Sequence, residues 1–120
     1  MTNSEKNGLL EVLDYTGEGY DRTMNYGAWR VAFLNYAPRF DADNFCKMER
    51  HLLTDEVFVL LEGTGTLAIG EERELVPMEK HKIYNVKKGV WHQIFVSRDA
   101  KVLIVENHDT AIENSEYMEV

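Results

Sequence analysis

The feature that most constrains this chain is a series of short runs rich in β-branched and aromatic residues. Each run has at most seven residues, and most runs start roughly 8 to 12 residues after the previous one. Glycine, proline, aspartate and asparagine occupy the gaps, as expected for turns. This pattern predicts an all-β sandwich or barrel. The seven predicted strands are 29–35, 45–51, 56–61, 65–69, 82–86, 93–97 and 101–106.

Helix is expected only near the chain ends, because no central segment has apolar residues at the 3.6-residue period of an amphipathic helix. Residues 9–13 have the composition of either a helical turn or an entering strand, and residues 110–120 are acidic and weakly patterned. We therefore expect a short helix or an extra strand at the termini.

Length and charge limit the class of protein. A chain of 120 residues fits one domain, 1–120, with a barrel core at about 29–106. Its 21 acidic side chains outnumber its 13 basic ones, so a net charge of -8 argues against a nucleic-acid partner. No apolar run approaches the roughly 18 residues of a membrane span. A single cysteine, Cys46, and a start without a signal-like pattern favour a reducing, cytoplasmic location.

The predicted strand at 56–61 carries apolar side chains on both faces. Phe58 and Leu60 alternate with Val57, Val59 and Leu61. A strand of this kind must be covered on both sides. We expect the barrel interior on one side, and a homodimer contact is a reasonable cover for the other.

Four potential metal-binding side chains have spacings that suit one end of a barrel. Glu49 and His51 lie two residues apart, so a strand places them on the same face. Glu56 opens the next predicted strand after a four-residue connection, and His92 follows the turn at Gly89. Two imidazoles and two carboxylates can therefore meet at one barrel mouth.

At these positions the chain resembles the cupin superfamily, whose members are small double-stranded β-helix, or jelly-roll-like, barrels. The first cupin motif, H-x-H-x(3,4)-E-x(6)-G, is matched here by ERHLLTDEVFVLLEG at His51, Glu56 and Gly63. The second motif is matched in part by HKIYNVKKGVWHQIFV, at Gly89 and His92. The resemblance covers about residues 29–106 and implies the cupin fold.

The resemblance also implies a divalent metal held by His51, Glu56 and His92. Glu49 stands where the family usually has its first metal histidine, and it is a possible fourth ligand. Mn, Fe, Ni and Zn sites all mix imidazole with carboxylate, and two carboxylates favour the harder ions over Cu. The opposite interpretation is that Glu49 replaced a histidine because the site no longer binds metal.

Each of these residues also has an interpretation without metal. His51 can be a hydrogen-bonded interior histidine, and Asp55 rather than Glu56 can point inward. Glu49 can form an ion pair with Arg50 or Lys47. The remaining histidines, His81 and His108, fall outside the motifs and are expected to be solvated.

A ligand pocket is expected beside the metal positions. Lys47 shares the strand face of Glu49 and His51, so it must lie at the mouth, neutralise a carboxylate or belong to the site. Aromatic residues can close such a pocket and a cation can meet an anionic ligand, although aromatic side chains in small β-proteins mostly pack in the core. The predicted pocket residues are Lys47, Arg30, Tyr36, Phe58, Tyr84 and Trp91.

Two ligand-binding functions are therefore compatible with the sequence, and a third interpretation, a purely structural dimerisation domain, applies only if side chains fill the barrel mouth. The first is a cupin that binds a divalent metal and a small oxygen-bearing molecule, with or without catalysis. The second is a non-catalytic cupin that binds a small ligand without metal. No G-x-S-x-G element or phosphate-binding glycine loop is present in the sequence, so serine hydrolases and dinucleotide-binding enzymes are disfavoured.

Overall fold

Short β-strands form nearly all the regular structure in the computed structural model, which describes residues 4–5, 8–107 and 114–120. In chain order the strands are β1 (Ser4–Glu5), β2 (Glu11–Val12), β3 (Tyr20–Tyr26), β4 (Trp29–Asn35), β5 (Lys47–His51), β6 (Glu56–Glu62), β7 (Gly65–Ile69), β8 (Glu74–Pro77), β9 (Tyr84–Val86), β10 (His92–Val96), β11 (Lys101–Asn107) and β12 (Ser115–Glu119). The predicted all-β class is confirmed.

Two five-stranded antiparallel sheets face each other. The first has the order β3-β4-β11-β6-β9, and the second has the order β12-β5-β10-β7-β8. A separate two-stranded ribbon pairs β1 with β2. Because β5 and β6 are consecutive in the chain but belong to different sheets, their connection crosses from one sheet to the other. This arrangement is the predicted jelly-roll-like barrel.

All seven strands predicted from the sequence are present, with ends shifted by no more than two residues. The prediction missed β3, β8 and β12, all of which are edge strands of the two large sheets. Edge strands carry polar side chains and lack a clear apolar alternation, which is why their pattern is weak. The general expectation of a helix or extra strand at the termini is met by three strands, β1 and β2 near the start and β12 in the acidic tail, although the position of β12 was not among the seven predicted strands.

The segment between β4 and β5 consists of two single turns of 3-10 helix, Pro38–Phe40 and Ala42–Asn44. Proline starts the first turn, where its missing N–H costs no hydrogen bond. Asp41 begins the second turn, and its side chain accepts a hydrogen bond from the backbone N–H of Asp43 at 3.0 Å. Phe40 is buried and anchors this segment beside the barrel opening.

The core lies between the two sheets. Alternation along β6 and β11 points Phe58, Leu60, Val102 and Ile104 inward, where all four are nearly inaccessible to solvent. The second sheet contributes further apolar side chains, among them Leu67, Ile94 and Val96. Some of these residues, Phe58, Ile94 and Ile104, also form the apolar wall of a cavity inside the barrel.

The outer faces of the two sheets differ. On the second sheet, Met48, Ala68 and Phe95 form a small buried cluster covered by neighbouring side chains. On the first sheet, the outward residues of β4, β6 and β11 are half-buried, except Trp29, which is 48% exposed. That apolar outer face is centred on Phe33, Leu103 and Val59, which lie side by side in the strand register.

Gly63, the last residue of the first motif, turns the chain from β6 into β7 with φ +74°. A Cβ atom at this position would lie 2.6 Å from Ser97 Oγ and 2.7 Å from Ala100 Cα. Both the left-handed backbone and the close approach require glycine. Separately, no helix in the ranges that the structure describes is long and apolar enough to cross a membrane.

Candidate metal centre and ligand cavity

Four side chains from three strands converge at one end of the barrel. Their donor atoms, on Glu49, His51, Glu56 and His92, all lie within 4.8 Å of one another. β5 supplies two of them from adjacent inward positions, and β10 places His92 directly opposite Glu49. Glu56 begins β6 in the other sheet. The cluster therefore spans both sheets.

Glu56 lies between the two imidazoles. Its Oε1 atom is 3.1 Å from His51 Nε2 and 3.0 Å from His92 Nε2. Both histidines and this glutamate are buried. The register question left open by the sequence has a clear outcome: Glu56 points inward, whereas Asp55 is exposed and accepts hydrogen bonds from Asn85 and from the backbone of Lys88.

The other ring nitrogen of each histidine is held by a partner outside the cluster. His51 Nδ1 is 2.8 Å from Ser115 Oγ, and His92 Nδ1 is 3.0 Å from the carbonyl oxygen of Val90. A carbonyl oxygen can only accept, so His92 Nδ1 carries a proton and, in the neutral ring, Nε2 keeps its lone pair. Such partners are typical of metal-binding histidines.

Glu49 lies at the edge of the cluster. Its Oε1 atom is 3.7 Å from His51 Nε2 and 4.0 Å from His92 Nε2, and its side chain is 34% exposed. Among the described residues, no lysine or arginine lies within 4.0 Å of it. Arg50 instead pairs with Glu116, and Lys47 lies over the ring of Tyr117. The alternative interpretation of Glu49 as an ion-pair partner of these two cations has no support in the geometry.

The donor set fits a divalent ion of the first transition row. Two ligands about 2.1 Å from a common ion and at right angles to each other lie about 3.0 Å apart. The two imidazole-to-Glu56 distances, 3.0 Å and 3.1 Å, have this value. Two neutral imidazoles and two carboxylates would also balance the charge of a dication.

The cluster binds protons strongly when no cation occupies its centre. Burial alone would lower the pKa of both imidazoles, but hydrogen bonds and negative charge from Glu56 raise the pKa of His51 and of His92 above the ordinary value. For Glu56, burial alone would raise the pKa, yet the hydrogen bonds from the two imidazoles lower the pKa to about 2. A metal ion therefore competes with protons for these three side chains.

We expect metal affinity to rise with pH for this reason. While the pH is below the raised histidine pKa, the metal affinity should increase about tenfold per pH unit for each imidazole proton that the metal displaces. Calorimetric titration of Zn²⁺ in two buffers with different heats of ionisation measures the protons released. An affinity that stays constant between about pH 6 and pH 8, with no proton release, would contradict this prediction.

A second buried ionic group lies beside Glu56 in the same interior. Arg30 on β4 and Glu106 on β11 are register partners, and Arg30 Nη1 lies 3.2 Å from Glu106 Oε1. The phenol of Tyr20 on β3 donates a hydrogen bond to the same carboxylate. Burial and the negative charge of nearby Glu56 raise the pKa of Glu106 to about 6, although Tyr20 and Arg30 oppose the shift.

The cavity beside these groups has a volume of about 320 Å³. Three of the predicted pocket residues, Lys47, Arg30 and Phe58, line it together with the four cluster residues. This size suits a small molecule, since ligand sites begin at about 300 Å³.

The other three predicted pocket residues lie elsewhere. Tyr36 donates a hydrogen bond to Asp41 at 2.7 Å and lines a shallow surface depression instead. The hydroxyl of Tyr84 accepts a hydrogen bond from the backbone of Glu79, while its side chain packs against the core. Trp91 packs on the outer cluster of the second sheet beneath Arg50. Tyr36, Tyr84 and Trp91 therefore pack against the apolar clusters, the usual role of aromatic side chains in small β-proteins.

Sequence reasoning missed several residues that line the cavity. Glu106 had a readable signal, because it continues the inward alternation of Val102 and Ile104 on its strand. Five further polar residues come from edge strands or from the first 3-10 turn, where no periodicity marks an inward face. They are Tyr20, Arg22, Arg39, Ser115 and Tyr117.

Of the two histidines set aside from the motifs, His81 is exposed, as expected. His108 lies outside the described residues. Cys46 precedes the regular part of β5 and is an exposed free thiol that lines the cavity.

No protein-family model matches this chain, and no curated protein matches it. Solved structures do. Pac13 from Streptomyces, a nucleoside dehydratase, has a TM-score of 0.65 at 11% identity, over 89% of this chain and 85% of that chain. A cupin-2 domain protein from Shewanella frigidimarina has a TM-score of 0.60 at 18% identity, over 78% and 85% of the two chains. KdgF from Halomonas sp. has a TM-score of 0.58 at 10% identity, over 80% and 86%.

Identities of 10% to 18% establish a shared architecture and carry no activity with them. The two facing antiparallel sheets, the motif glycine at Gly63 and the histidine–glutamate cluster at one barrel end all agree with that architecture. The chain has the cupin fold.

Proposed function

We propose that this protein binds a divalent metal ion at Glu49, His51, Glu56 and His92, and holds a small oxygen-bearing molecule in the adjoining cavity. The observation that carries the proposal is the convergence of four donor atoms within 4.8 Å from three strands and two sheets. Strand alternation alone would bring only the two β5 side chains together. Mn, Fe, Ni and Zn are the candidate ions.

The cavity supports the ligand half of the proposal. Its lining includes the cluster residues, so a bound molecule would lie against the ion. A divalent ion in this position would polarise a ligand oxygen or acidify a bound water. Pac13 has been solved with uridine, a small oxygen-rich molecule, in a barrel of the same fold. A metal-dependent enzyme and a metal-dependent carrier would both need these two features.

A second candidate function is favoured by a specific observation. Glu56 accepts from both imidazoles and each imidazole has a further partner, so the ring nitrogens of His51 and His92 have partners without an ion. The same barrel could therefore bind a small ligand without metal. In that case the cavity and its charged groups would act alone.

Metal analysis separates the two candidates. Protein purified without chelator is expected to carry about one equivalent of Mn, Fe, Ni or Zn per chain, measured by mass spectrometry of the elements. Chelator-treated protein is expected to take up the same equivalent in calorimetry. Protein that is metal-free and stays metal-free after incubation with each ion would overturn the proposal and leave the metal-free function.

We also propose a homodimer through the apolar outer face centred on Phe33, Leu103 and Val59. Four strands of seven residues and one of three, about 4.8 Å apart, give a face roughly 500 Å² in area, so two copies would bury about 1,000 Å². Since each copy carries a net charge of -8, a contact between copies needs a face on which charges are few or paired; Lys101, whose Nζ atom lies 4.5 Å from the centre of the Phe33 ring, is paired with Asp14. A twofold contact of this face with itself meets both conditions.

Leu103→Glu is expected to convert the dimer into a monomer. Leu103 lies on the central strand of the sheet, so two carboxylates would face each other across a desolvated contact. Light scattering after gel filtration measures the mass. Leu75→Glu, at an exposed apolar position of the other sheet, is the control and should leave the mass unchanged. A wild-type protein of monomer mass would overturn the dimer.

A cytoplasmic location completes the proposal. Cys46 is an exposed free thiol, which suits a reducing compartment. Fractionation of cells expressing the native chain tests it, and recovery in an oxidising compartment would contradict it.

A further inference from the structure

Three basic side chains surround the open edge of the cavity without an acidic partner. Arg22 comes from β3, Arg39 from the first 3-10 turn and Lys47 from β5, and all three are exposed while lining the cavity. Within the described ranges, no carboxylate oxygen lies within 4.0 Å of any of them. We call Arg22, Arg39 and Lys47 the basic rim.

The basic rim concentrates positive charge in an acidic protein. Acidic side chains outnumber basic ones by 21 to 13, yet the three rim cations line the same cavity. Three cations from three separate elements around one opening, with no carboxylate partner among the described residues, create a local positive potential that the chain as a whole does not have.

The acidic groups inside the cavity do not cancel the rim. Glu106 is paired with Arg30. Glu56 lies between two imidazoles, which compensate its negative charge. Glu49 remains, at the edge of the cluster and 3.7 Å from His51. One compensated cluster and one ion pair thus leave the three rim cations available to an incoming molecule.

Two of the rim cations are held in place by aromatic rings. The guanidinium of Arg39 lies 4.4 Å from the centre of the Phe40 ring, and Lys47 Nζ lies 5.0 Å from the centre of the Tyr117 ring. Cations over aromatic faces are oriented at little cost in free energy. Tyr117, the ring under Lys47, is the register partner of Glu49 in the β5–β12 pair, so this part of the rim lies next to the histidine–glutamate cluster.

We infer that the ligand of this cavity is a small organic anion, whose carboxylate or phosphate group is bound by Arg22, Arg39 and Lys47 while its uncharged oxygens point toward the histidine–glutamate cluster. Guanidinium and ammonium groups together suit either anion. This inference names the ligand class for the site of the proposed function and rests on that function for the site, but its charge argument does not depend on the metal.

Matched pairs of probes test the inference in chelator-treated protein. Ribose 5-phosphate is compared with ribose, and gluconate with glucitol, by calorimetry or by chemical shifts in NMR. The anion of at least one pair is expected to bind about tenfold or more tightly than its neutral counterpart, with a preference that falls as salt rises. The first pair reports on phosphate and the second on carboxylate.

Variants assign the preference to the rim. Each single change, Arg22→Gln, Arg39→Gln or Lys47→Gln, is expected to weaken anion binding about threefold to fivefold, and the triple variant about thirtyfold or more. A control triple variant, Arg73→Gln with Lys80→Gln and Lys87→Gln, removes the same total charge from exposed positions outside the cavity and should keep the preference. Thermal melting should be close to wild type in both triples, because all six positions are exposed.

The outcomes are distinguishable. Equal binding of anions and neutral molecules, no measurable binding of any probe at millimolar concentration, or an equal loss in both triple variants would overturn the inference. If the protein takes up metal but shows no anion preference, the inference fails and the proposed function stands. If it shows the preference but never takes up metal, the metal half of the proposed function fails and the inference stands.

Discussion

Replacing His92 with asparagine is expected to lower the affinity for a divalent metal by about a hundredfold or more. Loss of a hydrogen-bond partner behind a metal ligand already costs about 10- to 100-fold, so loss of the ligand itself should cost at least the upper part of that range. His92 is buried, and its Nε2 atom lies 3.0 Å from Glu56 Oε1. The measurement is calorimetric titration of chelator-treated protein with Mn²⁺ and Zn²⁺.

His81→Asn is the control for this experiment, because His81 is exposed and lies outside the cluster. It should bind metal as the wild type does. Glu49→Gln should weaken binding by a smaller factor than His92→Asn, since Glu49 lies at the exposed edge of the cluster. A His92→Asn variant with wild-type stoichiometry and affinity would show that the ion, if any, binds elsewhere.

Arg30→Met is expected to destabilise the metal-free fold by about 3 to 5 kcal/mol at about pH 8, the usual cost of leaving a buried charge without its partner. The carboxylate of Glu106 is buried and lies 3.2 Å from Arg30. Methionine fills a similar volume, so lost packing contributes little. Urea denaturation of chelator-treated wild type and variant measures the free energy of unfolding.

The same variant has a defined pH dependence. The pKa of Glu106 is already raised to about 6 in the wild type, above its ordinary value. A raised carboxyl pKa favours folding at low pH, and this contribution is lost as the pH rises through the folded value. Without Arg30 the pKa of Glu106 rises further. The loss in free energy of unfolding relative to wild type should therefore grow from about pH 5 to about pH 8.

A double variant, Arg30→Met with Glu106→Gln, provides the control. It removes both charges, and more than half of the stability lost in Arg30→Met should return at about pH 8. If the free energy of unfolding of Arg30→Met lies within about 1 kcal/mol of the wild-type value at that pH, the ion pair is not an important stabilising contact.

Strand positions were readable from the sequence because interior strands carry a strong local signal. β4, β7 and β11 are rich in branched apolar residues and lie next to sheet neighbours on both edges, so their composition reflects burial. The edge strands bury one face or less: β3 and β12 contain many polar residues, and β8 is only four residues long and mostly exposed. Their pairing depends on partners far away in the chain, which no local window contains.

The residues of the candidate metal centre could also be predicted from the sequence, but its pocket residues only in part. The motif spacing placed His51, Glu56 and His92 in one group, and the structure brings their donor atoms together. The aromatic pocket residues were harder to predict. The sequence pattern around an aromatic residue is the same whether its side chain packs in the core, packs on the outer face of a sheet or lines a cavity. Tyr36, Tyr84 and Trp91 pack, whereas Tyr20 and Tyr117 line the cavity.

Alternation and turn chemistry by themselves determined that this chain makes short strands, that Glu49 and His51 share a face, and that Gly63 turns the chain. These are properties of neighbouring residues, and the backbone enforces them locally. Tertiary structure alone decided that Glu56 reaches across to the other sheet, that Arg30 meets Glu106, and that three cations from separate elements surround one opening. Those contacts join residues distant in the chain, and only the closure of two sheets brings them within reach of one another.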